Sequence, residues 1–470
     1  MRLRSNWFWT GLAALMLAVP GSAQESPAPV AGQTDKNSAP TSGTQVARTV
    51  GDIRERILLD RIDQLEKRLA EVEARTASAE SSHAPAATVA VETQSSQGSS
   101  TPAATPAPAA TPAPAATPAP QESAPASAPT WSAGPIDFSG LVDFYYLYNA
   151  NHPASQTNQL YNFDVKANQF SLNMAKLSLS HSPDPVGFQV DFGFGRAFDM
   201  IHSSEPSTAP SIFRNIEQAY VSLKPAQLHG FEADFGEFVT SAGAEVIESH
   251  SNWNYSRSLL FAWAIPYYHF GLRTSFPVGK HFTGGVQVVN GWNNIEDNNS
   301  GKTLGLTGAF TTTKFVWYNN YYTGPENTGT NVGWRNLYDT TLLLTPNSKL
   351  NAYLNFDYGQ NTSGSGVTQF TAKWYGLAGA LHYQADSNWS FTPRLEWFKD
   401  RDGFSTGRAQ DVKEFTLTGE YKLAEGLLSR LEYRHDWSNQ PFFDRGLDPA
   451  SHKSQDTVAL GIIGYFGPKR

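Results

Sequence analysis

The chain of 470 residues has no cysteine, which excludes disulfides, thiol catalysis and Cys-based metal sites. Long apolar runs are also missing: past the first two dozen residues no segment approaches the ~20 that a spanning helix needs, so a helical membrane protein is excluded. There is no basic stripe beyond Arg2 and Arg4, and the net charge is -8, which argues against nucleic acid or another polyanion as a partner. Neither G-x-S-x-G nor H-E-x-x-H occurs. Gly301-Lys302-Thr303 resembles the end of a phosphate-binding loop, but Glu296 stands where the first glycine belongs, so a loop between strands is expected. The 11 histidines are scattered, and His269 and His382 read as wall or interface side chains within strands. No catalytic residue, metal site or cofactor is expected.

What is present is unevenly distributed. Residues 1–23 combine a basic start, an apolar stretch from Trp7 to Val19, a Pro-Gly break and small residues at Gly21 and Ala23, the pattern of a cleaved secretory signal. A polar segment (24–50) follows. In 51–77, Leu58, Ile62, Leu65, Leu69 and Val72 alternate spacings of four and three, an a/d seam for a short coiled coil. Charged residues fill its other positions, so the helix has one narrow stripe to bury against copies of itself, and a trimer is suggested. A lone amphipathic helix on another surface is the alternative. The linker 78–134 is rich in Pro, Ala, Ser and Thr, with ATPAP recurring at 104, 110 and 116, and cannot form a core. As polyproline II, its ~47 most biased residues span up to roughly 140 Å, enough for a tether towards peptidoglycan.

From residue 135 to 470 the pattern has period two. Ile136, Phe138, Val142, Phe144, Tyr146 and Tyr148 share one face, opposite Asp137, Ser139 and Asp143. In LLSRLEYRHDW, Leu431, Tyr433 and Trp437 oppose Arg430, Glu432, Arg434 and Asp436. Four charged residues in succession on one face suit a wet lumen whose opposite wall meets lipid. About sixteen such strands are expected, with fourteen as the alternative. Short joints such as PVGK, TPNSK and ADSN alternate with longer polar ones, including 150–167, 197–212 and 240–257. Short turns at one rim and long loops at the other define an antiparallel up-and-down transmembrane barrel with an even strand number, whereas a soluble sandwich has no reason to keep that order. An exported chain with no second apolar run can satisfy its backbone in lipid only as a closed barrel, which places it in the bacterial outer membrane, with the N-terminal region in the periplasm.

Several phrases are similar to a known family: FSGLVDFYYLYN, AYVSLKPA, the long GEFVTSAGAEVIESHSNWNYSRS, NYYTGPE and RLEYRHDWSNQPFF. Together, from Ile136 to Pro468, they resemble the OmpL-like β-barrel porins. The resemblance implies an outer-membrane channel and supplies no catalytic residue.

Candidate site residues follow from the strand count. The third long loop, 240–257, would fold inward by analogy with general porins and carries Glu245, Glu248, His250 and Arg257. These would face the pore-lining residues Arg394, Glu396, Glu420, Arg430, Glu432, Arg434 and Asp436, and together set pore radius and field. The alternative is that they are salt-bridged residues that fix the loop. With both signs present, weak ion selectivity is expected. Passive diffusion of small hydrophilic solutes is the expected function, with a peptidoglycan-tethered anchor and a barrel hydrolase as alternatives.

Overall fold

The computed structural model of the protein describes residues 132–133, 135–205, 210–364 and 368–468. The expected signal (1–23), polar segment (24–50), coiled coil (51–77) and, apart from Ser132–Ala133, the linker (78–134) lie outside the described residues.

Sixteen antiparallel strands close into a barrel: β1 (Ile136–Asn149), β2 (Gln169–His181), β3 (Val186–Phe194), β4 (Ile216–Leu223), β5 (Glu232–Val239), β6 (Tyr268–Val278), β7 (Phe282–Val289) and β8 (Thr303–Thr311) form one half. The other half is β9 (Phe315–Pro325), β10 (Trp334–Asn347), β11 (Leu350–Ser363), β12 (Phe370–Gln384), β13 (Trp389–Asp400), β14 (Gln410–Ala424), β15 (Leu427–Ser438) and β16 (Ser454–Phe466). Each strand pairs with its sequence neighbours, and β16 pairs with β1, from Thr457 opposite Asn149 to Phe466 opposite Gly140. Closure leaves no edge, so every strand has a hydrogen-bonding partner on both sides, as hydrocarbon demands.

The joints follow the same alternation. Residues 182–185, 279–281, 312–314, 348–349, 385–388 and 425–426 make tight turns at the rim that also holds the barrel's two ends. Gly426 adopts φ 77° in a two-residue turn where an added Cβ would meet the Tyr465 carbonyl at 2.4 Å, so a side chain there is excluded by both strain and space. The opposite rim carries the long connections, of which L1 (150–168) and L3 (240–267) matter most here.

The faces divide as the alternation requires. Leu431 is 60% exposed while its neighbour Arg430 is 2% exposed, and Leu417, Val458, Leu460 and Phe144 share the outward belt. Trp389 packs on Tyr421 at 4.6 Å near the turn rim, where amphipathic rings suit a membrane interface. Such a belt is stable only against hydrocarbon. Leu431→Arg, which sets a cation opposite Leu460 in the belt, is expected to cost about 2–4 kcal/mol in urea unfolding from liposomes if it lies near the midplane. No loss would place the belt in water.

Candidate constriction site

L3 is longer than the sequence pattern indicated. β6 begins at Tyr268 rather than 265, and LLFAW forms a short helix, α1 (Leu259–Trp263). The reason is local. Ser258 caps α1 by accepting from the Phe261 amide at 3.0 Å, and an apolar run without alternation has no preference for a wall with two different faces. The neck of the loop is pinched where the Thr240 amide donates to the Tyr267 carbonyl at 2.9 Å. Within it, the Asn252 side chain accepts from the Val246 amide at 2.9 Å and donates to the Val246 and Glu248 carbonyls at 2.7 and 3.0 Å. Arg257 donates to the carbonyls of Val246 at 3.0 Å, Ile247 and Tyr255. A loop that turns its polar groups on itself in this way holds its own shape inside the barrel.

Inside, L3 is bolted to the wall formed by β13 to β15 and β1. Arg394 donates to Glu245 of L3 at 2.7 Å, to the Ser256 carbonyl at 2.8 Å and to Glu414 at 2.7 Å, with Glu396 at 3.0 Å. Arg430 reaches the Asn254 carbonyl at 3.1 Å and those of Ser249 and Asn252, and pairs with Glu420 at 2.6 Å. Arg434 donates to the Arg257 carbonyl and to Asp436, each at 2.8 Å, and lies over the Tyr161 ring of L1 at 4.3 Å. Glu432 works in the opposite sense, accepting from the Tyr255 and Ser256 amides at 2.6 and 2.9 Å. Wall arginines therefore take the carbonyls of L3 and a wall carboxylate takes its amides, which replaces the water that those backbone groups would otherwise need.

The seven wall residues singled out from the sequence all point inward, but they do not border open water. Arg394, Glu396, Arg430, Glu432, Arg434 and Asp436 are sealed beneath L3 and L1, and only Glu420, with 22% of its side chain exposed, keeps appreciable contact with solvent. The alternation placed them on the lumen side, and the loop that covers them is invisible to a period-two pattern. Among the loop residues, Glu245 meets Arg394, Arg257 braces the loop itself, and Glu248 pairs with Lys176, which also holds Glu217 at 2.7 Å. Burial raises the Glu248 carboxyl, but the Lys176 ammonium outweighs it and holds the group well below its ordinary value. His250 stacks on Tyr465 with ring centroids 5.0 Å apart, and burial lowers it to about 4, so it is neutral at physiological pH.

The sequence reading did not select Lys176, Glu414, Tyr161 or Trp253. Lys176 carried a signal, as the one cation of β2 between outward aliphatic residues. Asp143 was read as inward, and it anchors L3 by accepting from Tyr255 Oη at 2.9 Å and Ser249 Oγ at 2.7 Å. L1 was read as polar, yet Leu160, Tyr161 and Phe163 are buried in the lumen, where Phe163 packs on Phe261 of α1 at 6.0 Å.

L1 also brings Asp164 into this layer. Burial, followed by the Glu432 carboxylate, pushes Asp164 up to about 7. The unfolded group ionises near ~3.9. Between those values the folded protein binds a proton that the unfolded chain has lost, so stability falls as pH rises from about 4 to about 7 and is level beyond it. Asp164→Asn is expected to abolish that fall, and the variant should gain on the parent at pH 8 but not at pH 4 in the heat-driven loss of the compact electrophoretic form. Parallel pH profiles would count against the assignment.

L1 and L3 fill one side of the lumen and leave a cavity of about 510 Å³ on the other, against β5 to β11. Its lining includes Ser241, Trp253, Arg273, Gln287, Thr307, Asn320, Thr341 and Tyr353, and it extends to the tight turn at Gly279, Lys280 and His281. Small residues, Gly284, Thr307, Gly308 and Ala309, leave the room. Arg273 is neutralised by Asp234 at 2.7 Å, and Glu232 by Lys224 at 3.0 Å.

A closed barrel with an apolar belt outside, an ionic wall inside and a long loop folded into the lumen is a transmembrane barrel of the porin class. The chain belongs to the family described as "Putative beta-barrel porin-2, OmpL-like", whose model matches residues 135–466. Membership of that family and the lipid-facing barrel place the protein in the bacterial outer membrane. Among solved structures, OmpT of Vibrio cholerae is 12% identical over 72% of this chain and 100% of its own, with a TM-score of 0.48. The outer membrane channel DcaP of Acinetobacter baumannii is 12% identical over 70% of this chain and 97% of its own, with a TM-score of 0.48. An anion-selective porin from Comamonas acidovorans is 11% identical over 70% and 99%, with a TM-score of 0.49. Comparison with curated proteins finds no match.

Proposed function

We propose that the protein is a diffusion porin, which passes small hydrophilic solutes and ions passively through the part of the lumen that L3 leaves free. The observation that carries this reading is the cavity of about 510 Å³ beside L3, lined by both polar and apolar side chains and reaching the tight-turn rim. Its charged groups of both signs are set close together, so a passing ion meets a weak net field. Purified protein in planar bilayers is expected to give discrete conductance steps with small reversal potentials. A strong anion or cation preference would overturn the mixed-field reading. Esterase or protease activity without conductance would favour a barrel hydrolase.

The N-terminal heptad seam and Pro/Ala tether favour a second role that is compatible with conduction. The seam joins copies of the chain as a homotrimer, and the tether reaches peptidoglycan from the periplasmic side. Removing 54–75 is expected to leave single-channel conductance intact and reduce co-sedimentation with cell wall. Unchanged sedimentation would remove the tether.

A further inference from the structure

We infer that the cavity beside L3 is a binding site for a neutral polyhydroxylated solute, a saccharide, and that this is the substrate class the barrel selects. The inference rests on the diffusion reading only for how the solute arrives; the site itself is argued from its lining.

The lining has an aromatic platform. Trp253, near the tip of L3, lies against Tyr353 at 5.5 Å and His382 at 5.2 Å, in both cases nearly parallel. Those two rings stand on adjacent strands of the same wall, β11 and β12, so the indole is laid on the wall instead of being clasped between walls. Trp253 is only partly buried and borders the cavity. A flat, held aromatic surface suits the C–H face of a sugar ring, which is apolar and polarised towards a π cloud.

Around the platform are groups that recognise hydroxyls. Ser241, Gln287, Asn320 and Tyr322 form a chain in which Gln287 donates to Ser241 at 3.2 Å, Ser241 bonds Asn320 at 3.1 Å, and its hydroxyl meets that of Tyr322 at 2.9 Å. Thr307, Gln287 and Thr341 add further hydroxyls and an amide to the side chains that line the cavity. Amides and hydroxyls both donate and accept, which matches the dual character of a sugar hydroxyl.

Charge and size narrow the class. Arg273 and Asp234 neutralise each other, as do Lys224 and Glu232, and Glu245 is held by Arg394, which leaves Lys280, at the tight-turn end, as the one lining cation with no ion pair among the described residues. The volume of about 510 Å³ lies within the range of ~300–1,000 Å³ common for small-molecule sites and accommodates one or two sugar rings.

The test is titration calorimetry of the detergent-solubilised full-length protein with maltose, and with gluconate as the charged comparison, alongside bilayer recordings with maltose added. Maltose is expected to bind and to interrupt the ion current, with gluconate weaker. Trp253→Ala should weaken maltose about 10-fold. Thr307→Val replaces the hydroxyl of a partly buried lining residue by a methyl group of the same shape, so it should leave the thermal transition nearly unchanged and weaken maltose about 3-fold. It also keeps the test open if Trp253→Ala does not fold. Gluconate binding more tightly than maltose, no maltose binding, or equal binding in parent and both variants would each overturn the inference. Ion steps without maltose binding would sink the saccharide site alone, and maltose binding without ion steps would sink the diffusion reading alone.

Discussion

Replacing Arg394 with alanine is expected to destabilise the barrel by about 3–5 kcal/mol, the cost of leaving buried charges without their partner. Its guanidinium is fully buried and stands among Glu245, Glu396 and Glu414, all within 3.0 Å of one of its nitrogens. The three acidic groups are themselves buried, at most 7% exposed. Without the arginine they repel one another with little solvent to screen them. The Ser256 carbonyl, to which Arg394 also donates, loses that donor at the same time. Arg394→Lys is expected to restore only part of the loss, because an ammonium is a point charge and cannot serve Glu245 and Glu414 with a planar fork. Urea unfolding from lipid vesicles, at matched pH, checks both values. A loss under about 1 kcal/mol, the range of exposed ion pairs, would mean that water reaches this cluster and screens it.

The second large effect concerns the channel. Glu432 holds the Tyr255 and Ser256 amides and Arg430 holds three carbonyls of the same loop, so Arg430→Ala with Glu432→Ala removes bolts of both senses. Since the pair removes one positive and one negative charge, the net charge of the wall is unchanged. L3 is then expected to leave the wall for part of the time. Conductance should rise several-fold with added open-channel noise, and L3 should become sensitive to protease while the strands stay protected. Single-channel recording and limited proteolysis give the two readouts. Conductance equal to that of the parent protein would show that L3 does not limit the flow.

The strands were legible because their information is local. Leu431, Tyr433 and Trp437 against Arg430, Glu432, Arg434 and Asp436 need only the period of an extended chain to be sorted to two sides. Turn chemistry at PVGK, TPNSK and ADSN then sets which rim is short. The interior was only half legible. Glu245, Glu248, His250 and Arg257 were picked out as loop groups, yet nothing near them in sequence names Arg394, Lys176 or Tyr465 as their neighbours. The burial of LLFAW was missed because an unalternating apolar run suits both a strand and a docked helix, and the Ser258 cap decides for the helix.

By itself the sequence determined that the chain alternates, closes with an even number of strands and turns its oily side outward, since these follow from the period of the pleat and from the lengths of successive joints. Tertiary structure alone decided which half of the lumen L1 and L3 occupy, and therefore which charges are sealed and where solute space remains. The physical reason is distance along the chain. The bond from Arg394 to Glu245 joins residues 149 positions apart, so the choice lies in the complementarity of two surfaces that are remote in sequence and adjacent only in the closed barrel.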